Sequence, residues 1–382
     1  MYARSFQRKK YGLAERATAQ LDLFDHSVCD HTVTAGSFCT HHAPKARCMM
    51  EPVKKPTYSQ NWPAYNLAQT TEKARFLELL YELCSNIEDL PRKNLRAGRN
   101  RLPLGDMIFC VVFKTYSTVS GRRFISDLRE AQQRGFISQT PHFNSIFNYL
   151  ELEEMTDCLH RLIIESSLPL KAVESQFAVD SSGFRTKGHT TWFNTKYGTH
   201  VDKSVWLKAH VMCGTLTNII TAVEVTDRKP HDSRYFMPLV DRTYKSGFAP
   251  KEISADKGYD SFNLRRFTLV KGAVPYIPFR SDAQPNNKGD LWKRMYHLYS
   301  YQREEFNAHY HRRSNVESVF SMMNAKFGEK LRSKTEVAQA NELLCKVLAH
   351  NLCCVIQSIY ELGIETNFCA EIPPAQNYDL LT

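Results

Sequence analysis

The sequence predicts an α/β protein: a mixed sheet, with a three-strand antiparallel meander joined to parallel strands, flanked by helices and preceded by a helical region. Three observations carry that prediction. Between Val173 and Phe279 short apolar runs recur, and Val205 to Cys213 alternates apolar and polar residues as a strand with distinct faces does. From Glu252 onward strand-like and helix-like segments follow one another, the mark of a layered α/β fold. Before Leu170 and after Glu304 apolar residues recur every three or four positions instead, which is the helical period.

Residues 1–65 read as an extended basic arm, with clusters at Arg8-Lys9-Lys10 and Lys54-Lys55 and no sustained periodicity. The arm holds Cys29, His31, Cys39, His41 and His42, which could supply four ligands to zinc. Their spacing matches no common finger closely, and polar linker residues are the commoner explanation. Residues 66–172 read as a helical domain. Phe76, Leu77, Leu79, Leu80, Leu83 and Ile87 mark one helix there, and Met107, Ile108, Val111, Val112 and Tyr116 a second. A third is expected to start at Thr140-Pro141, a cap residue followed by proline. Between the first two lies Arg92 to Arg101, with five bases including Arg96, Arg99 and Arg101 and no acid. Such a segment is either a solvated loop or a phosphate contact, since neutralising phosphates releases counterions.

Residues 173–362 read as a second domain, of alternating strands and helices. Phe177-Ala-Val179 is a strand ending at Asp180, and Val205 to Cys213 places Leu207, Ala209, Val211 and Cys213 on one face. Ile219 to Val225 follows a tight turn at Gly214 to Asn218, so these three strands make the meander. A helix from Ser233, a strand at Glu252 to Ala255, a helix from Ser261 and a strand at Val274 to Phe279 come next. Two long helices, 304–326 and 336–361, close the domain, and 363–382 is a tail.

Composition narrows the function. The chain has 382 residues, 42% hydrophobic and 12% aromatic, which excludes a disordered protein. Its longest apolar run, Met107 to Phe113, is far short of the roughly 20 residues a membrane span needs, so no membrane partner is expected. No secretory signal is read at the N-terminus, and an odd count of 11 scattered cysteines argues for reduced thiols, so a reducing, cytoplasmic location is expected. Fifty Lys and Arg against 40 Asp and Glu make a net charge of +10, which suggests a polyanionic partner.

Within this basic chain three acids stand out. Asp180 and Asp256 each follow an apolar strand, at the end where α/β sheets place their ligands, although Asp after a strand is also an ordinary turn residue. Glu317 shares a helix face with Tyr310, Arg313 and Phe320 at about 100° per residue. Alone, an Arg–Glu pair at this spacing is a modest surface salt bridge. Three carboxylates meeting in a cleft would repel one another unless cations neutralised them, and oxygen-only ligands select Mg²⁺ or Mn²⁺. Two such ions roughly 3.5–4 Å apart can activate a nucleophile and stabilise a leaving oxygen in phosphoryl transfer.

The residues that carry these acids resemble the DDE transposases of prokaryotic insertion sequences, the group with an RNase H-like domain and a Tyr-Arg-Glu-Lys signature. The likeness rests on Ala178 to Phe184, Trp206-Leu-Lys208-Ala-His210, Thr226 to Ser233, Ser254 to Ser261 and Tyr310-x-x-Arg313-x-x-x-Glu317. It covers about residues 175–355 and implies an RNase H-like fold, with Asp180, Asp256 and Glu317 as a triad holding two Mg²⁺ or Mn²⁺ ions. It further implies DNA contacts for Tyr310, Arg313, Asn324, Lys208, His210 and Lys257. The partners it implies are double-stranded DNA, at element ends and at the target, and a second copy of the chain in the synaptic complex. The implied reaction is Mg²⁺-dependent cleavage at terminal inverted repeats followed by strand transfer. Where the family usually has lysine, seven residues after the glutamate, this chain has Asn324, and Lys326 projects to the other side of the helix. Two alternatives compete with an active transposase: a transposase-derived non-catalytic DNA-binding protein, and a structure-directed DNA nuclease.

Overall fold

The computed structural model describes residues 61–89, 101–186, 206–227, 231–285, 289–366 and 368. The chain divides into two units, Met1–Tyr58 and Ser59–Thr382. The first, with Cys29, His31, Cys39 and His42, lies outside the described residues, as do Arg96 and Arg99.

Among the described residues, the second unit opens with helices α1 (Trp62–Cys84), α2 (Leu104–Ser117), α3 (Gly121–Gln133), α4 (Phe143–Leu150) and α5 (Glu153–Ser167). The start of α1 precedes the first residue expected of the helical region. Asn61 caps it by accepting from the Ala64 N–H at 3.3 Å, and Pro63 sits in its first turn. Its early apolar residues, Trp62 and Leu67, are 60% and 49% exposed, so no buried stripe announces this part of the helix. Thr140 does not cap α4 either. Its hydroxyl donates to Gln132 Oε1 at 2.7 Å, and His142 is the cap instead.

The sheet contains β1 (Gln176–Thr186), β2 (Trp206–Gly214), β3 (Ile220–Thr226), β4 (Glu252–Ala255) and β5 (Val274–Tyr276) in the order β3-β2-β1-β4-β5. The meander β1-β2-β3 is antiparallel, and β4 and β5 add in parallel. The turn between β2 and β3 is short, as expected, whereas residues 187–205 separate β1 from β2. A two-residue strand, β6 (Lys330–Leu331), pairs with the far end of β1. After β3 and β4 come α6 (Ser233–Lys245) and α7 (Phe262–Val270). The expected long helix from 304 to 326 is broken: α8 (Gly289–Tyr301) and α9 (Arg303–Tyr310) lead into a 3-10 turn, His311–Arg313, before α10 (Ser314–Phe327). The last helix, α11 (Glu336–Leu362), falls where the periodicity placed it.

Strand alternation sorts the core into two layers. Phe177, Val179, Met212, Ile253 and Ala255 meet Phe236, Leu239 and Leu264 of α6 and α7. On the other face Ala178, Ala209, Val211 and Cys213 join Val316, Phe320 and Met323 of α10 and the long apolar stripe of α11. That second layer continues without a break into Phe76, Phe109 and Leu159 of the N-terminal helices. The expected boundary at 172/173 is therefore no gap in packing, because α11 packs against α1, α2 and α5 as well as β3. By length and composition α11 could cross a membrane, but 72% of its apolar window is buried in the fold, which makes it the central core helix.

Polar clamps fix the sheet against these helices. Buried Asn351 of α11 accepts from the Ile220 N–H at 2.9 Å and donates to the Ile220 carbonyl at 2.8 Å, completing the edge strand β3 as a neighbouring strand would. Glu174 holds the β2–β3 turn, accepting from the Thr217 N–H at 2.6 Å and its hydroxyl at 2.7 Å. Gly214 makes that possible, since a Cβ there would lie 2.3 Å from the Glu174 carboxyl carbon. Cys84, Cys110, Cys158, Cys213, Cys345, Cys353 and Cys354 are all free thiols, as expected.

Candidate active site

The site begins where the parallel ladder of β1 and β4 ends. Val179 pairs with Ala255 as its last rung, so Asp180 and Asp256 are the next residues on two adjacent strands. β4 stops there, while β1 runs on through Asp180 to Thr186; Asp180 lies within the strand and does not end it. Beyond Val179 the edge of β1 is without a strand partner until β6 meets Arg185 and Thr186. The 3-10 turn His311–Arg313 and α10 pack beside β1.

This packing brings Glu317 and Arg313 to Asp180. Arg313 Nη1 donates to Asp180 Oδ2 at 2.7 Å and Nη2 to Glu317 Oε1 at 2.8 Å, so one guanidinium spans two of the three acids. The turn is anchored from below: Arg312 Nη1 donates to Glu252 Oε2 at 3.1 Å, and His309 Nδ1 lies 2.8 Å from the same oxygen with its ring stacked on Tyr276. Tyr310 places its ring 5.9 Å from the Arg313 guanidinium. Burial raises the Asp180 carboxyl above its ordinary range, against the Ser181 N–H and Arg313, while Asp256 and Glu317 push it the same way as burial. Burial works against the Arg313 charge, but Tyr310 and the carboxylates of Asp180, Asp256 and Glu317 outweigh it and hold the Arg313 proton more tightly. Asp256 is exposed.

A cleft of about 570 Å³ opens beside Asp180 and Glu317, lined also by Ser181, Ser182, Phe320 and Asn324 among others. Asn324 thus shares the cleft with Glu317, as the helical wheel indicates, and its Oδ1 is buried without a hydrogen bond. Lys326 points away, donating to Glu72 and to Cys353 Sγ. Among the described residues no three His, Cys, Asp or Glu side chains stand close enough to hold a metal ion together as they are. The donor set, three carboxylates, is nonetheless the chemistry that hard divalent ions select, and the guanidinium between two of them is the cation that now neutralises it.

The remaining candidates fall elsewhere. Lys208 pairs with Asp232, about three-tenths exposed like itself. His210 presents no surface: its side chain is wholly buried, stacked on Tyr235, with Nε2 3.0 Å from Thr226 Oγ1. Burial lowers it to about 4, so it is a neutral core residue and no DNA contact in this arrangement. Lys257 is exposed beside Asp256, and Arg101 is exposed far along the chain. Two functional candidates escaped the spacing argument. Asp232 accepts from Ser181 Oγ at 2.9 Å, and buried Tyr259 follows Asp256 in the 3-10 turn Lys257–Tyr259. Both stood in the segments that carry the family likeness, but nothing local gave either a role.

Residues 171–352 match the family described as Transposase DDE domain, a span that includes every strand of the sheet and all three acids. This part of the chain is a transposase DDE domain. It belongs to a family of metal-dependent phosphoryl transferases and implies a transposase acting on DNA. The family generally uses divalent metal ions. The mixed sheet flanked by helices agrees with the RNase H-like fold expected of a DDE domain. No curated protein and no solved structure gave a match to the chain.

Proposed function

We propose that the chain binds the terminal inverted repeats of an insertion sequence, cuts the DNA at their ends and joins the freed 3′ ends to target DNA, using Asp180, Asp256 and Glu317 to hold Mg²⁺ or Mn²⁺. One observation carries the reading: Asp180 and Asp256 follow the last rung of the parallel ladder side by side, and Arg313 ties Glu317 to the first of them. Two divalent ions held by these carboxylates would lower the pKa of a bound water and stabilise the departing oxygen.

The chain's own groups do the rest. In the DNA-free protein Arg313 neutralises Asp180 and Glu317; a DNA phosphate, a bidentate partner of equal charge, competes for the same guanidinium and frees the carboxylates. Tyr310 beside it offers a ring to an unstacked base or a hydroxyl to the terminal phosphate. Asn324 offers an amide along the cleft. In cleavage, water attacks the phosphorus and the 3′ oxygen leaves with a proton; in strand transfer that 3′ hydroxyl attacks a target phosphodiester. Each step exchanges one P–O bond for another, so neither ATP nor a covalent protein–DNA link is needed. Joining two ends at once calls for two copies of the chain, and a homodimer in the synaptic complex is the natural assembly.

The test is Asp256→Ala with DNA carrying the ends of the element. The expected result is loss of Mg²⁺-dependent cleavage with end binding retained; cleavage that survives the substitution refutes the assignment. A wild-type protein that binds ends but cuts nothing in Mn²⁺ would instead be a non-catalytic DNA-binding protein.

A further inference from the structure

Chemistry on a phosphodiester engages the part of DNA that every sequence shares, so recognition of particular ends needs a surface away from the cleft. Helix α3 has the makings of one. It follows α2 after a three-residue turn, Thr118 to Ser120. In α2 every residue from Met107 to Phe113 is buried, whereas in α3 only Phe124, Leu128 and Ala131 are. Phe124 packs edge-on against Phe113, ring centroids 5.0 Å apart, so this face seats α3 on α2. The turn is fixed as well: Thr118 is left-handed, with φ 58°, and its carbonyl accepts from Arg332 Nη1 at 3.0 Å. Arg332 directly follows β6, which pairs with β1, so the turn before α3 is tied to the strand that carries Asp180.

Opposite the apolar face runs a polar stripe. At about 100° per residue, with Arg122 as zero, Ser126 falls at about 40°, Arg129 at about 340° and Gln133 at about 20°. Phe124, Leu128 and Ala131 lie between about 180° and 240° on the same wheel. All four residues of the stripe are exposed, as is Arg123, which flanks it at about 100°. Of the acids on α3, Asp127 is turned aside to Lys73 at 3.5 Å, and Glu130 falls at about 80°, off the stripe. Among the described residues none of the three arginines is in an ion pair; Arg122 lies 5.3 Å from the Phe143 ring.

From Arg122 to Gln133 is roughly 16 Å along the helix axis, the rise of about five base pairs. The major groove, about 12 Å wide, admits one α-helix, and arginine and glutamine are side chains that pair bidentately with guanine and adenine there. The stripe carries no apolar residue, so it offers nothing to a lipid surface or to the apolar centre of a protein interface.

We propose that α3 is a sequence-reading helix that lies in the major groove of duplex DNA at the element's ends, with Arg122, Ser126, Arg129 and Gln133 facing base edges and Arg123 facing a phosphate. The inference rests on the reading that the chain binds particular ends.

The experiment measures binding of the full chain, without divalent ions and at several salt concentrations, to duplexes carrying the element's ends and to scrambled duplexes of the same length. Thermal unfolding checks that each variant is folded. Arg129→Lys keeps the charge but loses the two-pronged fork. It is expected to weaken end binding by about 10–100-fold while leaving the scrambled duplex and the unfolding temperature unchanged, so that the preference for ends is lost. Arg122→Lys, at the other end of the stripe, makes the same comparison independently. Arg123→Ala is expected to weaken both duplexes alike and to lower the log–log salt slope by about one unit. Preference retained by both lysine variants overturns the proposal, as does an equal loss on both duplexes, which would make the stripe a phosphate contact alone. A wild-type chain with no preference for the ends defeats the end-binding reading and α3 with it; a wild-type preference that survives both lysine variants defeats α3 alone.

Discussion

Removing Arg313 should destabilise the metal-free protein, and a divalent ion should repair the damage. The Asp180 and Arg313 side chains are 22% and 19% exposed, so their 2.7 Å bond is largely shielded from water and is worth about 1.5–3 kcal/mol as a charge-assisted hydrogen bond. Glu317 is 64% exposed, so solvent screens its bond to Arg313 to a few tenths of a kcal/mol. Arg313→Ala also leaves Asp180 facing the charges of Asp256 and Glu317 with no cation between them. The sum is a loss of about 2–3 kcal/mol, or roughly 2–4 °C for a chain of this size. The assay is thermal unfolding at neutral pH, with and without Mn²⁺, of wild type, Arg313→Ala and Arg313→Lys. An ion held by the same carboxylates replaces the missing charge, so Mn²⁺ should raise the unfolding temperature of Arg313→Ala more than that of the wild type. Lysine, a point charge without the two-pronged fork, should fall between them. Equal stabilisation of all three by Mn²⁺ would refute the idea that guanidinium and metal compete for one set of oxygens.

Two further outcomes follow from buried and cleft-facing groups. His210 and His350 are each lowered to about 4 by burial, so both are neutral in the fold and must take up protons on unfolding in acid. Their contribution is fully present above about pH 6.5 and is lost as pH falls toward 4, at most about 3 kcal/mol each; urea midpoints should drop across that window, and a flat profile would contradict it. Asn324→Lys places a charge in the cleft beside Glu317, and the dependence of DNA affinity on salt should steepen by about one unit on a log–log plot. An unchanged slope would mean that the position does not face phosphate.

Much of the site was legible before the fold because its signals are local. Asp180 and Asp256 each follow a short apolar run, and Glu317 and Asn324 lie on one side of a single helical period. The meander was legible for the same reason, since alternation in β2 assigned Leu207, Ala209, Val211 and Cys213 to the face that packs on α11. Reading went astray where a local rule had a competitor. Thr140 has the pattern of a cap but gives its hydroxyl to Gln132, and His210 has the chemistry of a DNA contact but is sealed under Tyr235. The 3-10 turn at His311–Arg313 broke a stretch whose periodicity ran straight through it.

By itself, then, the sequence determined the kinds of elements, their order, and which acids could meet, because propensity, period and charge are properties of neighbours along the chain. Only the tertiary structure decided what the acids meet. Arg313 reaches Asp180 across 133 positions, and Asn351 completes β3 across 131. Such contacts depend on strand register and helix placement, and a one-residue change in the pairing of β1 with β4 would turn Asp180 to the opposite face while leaving the sequence pattern intact.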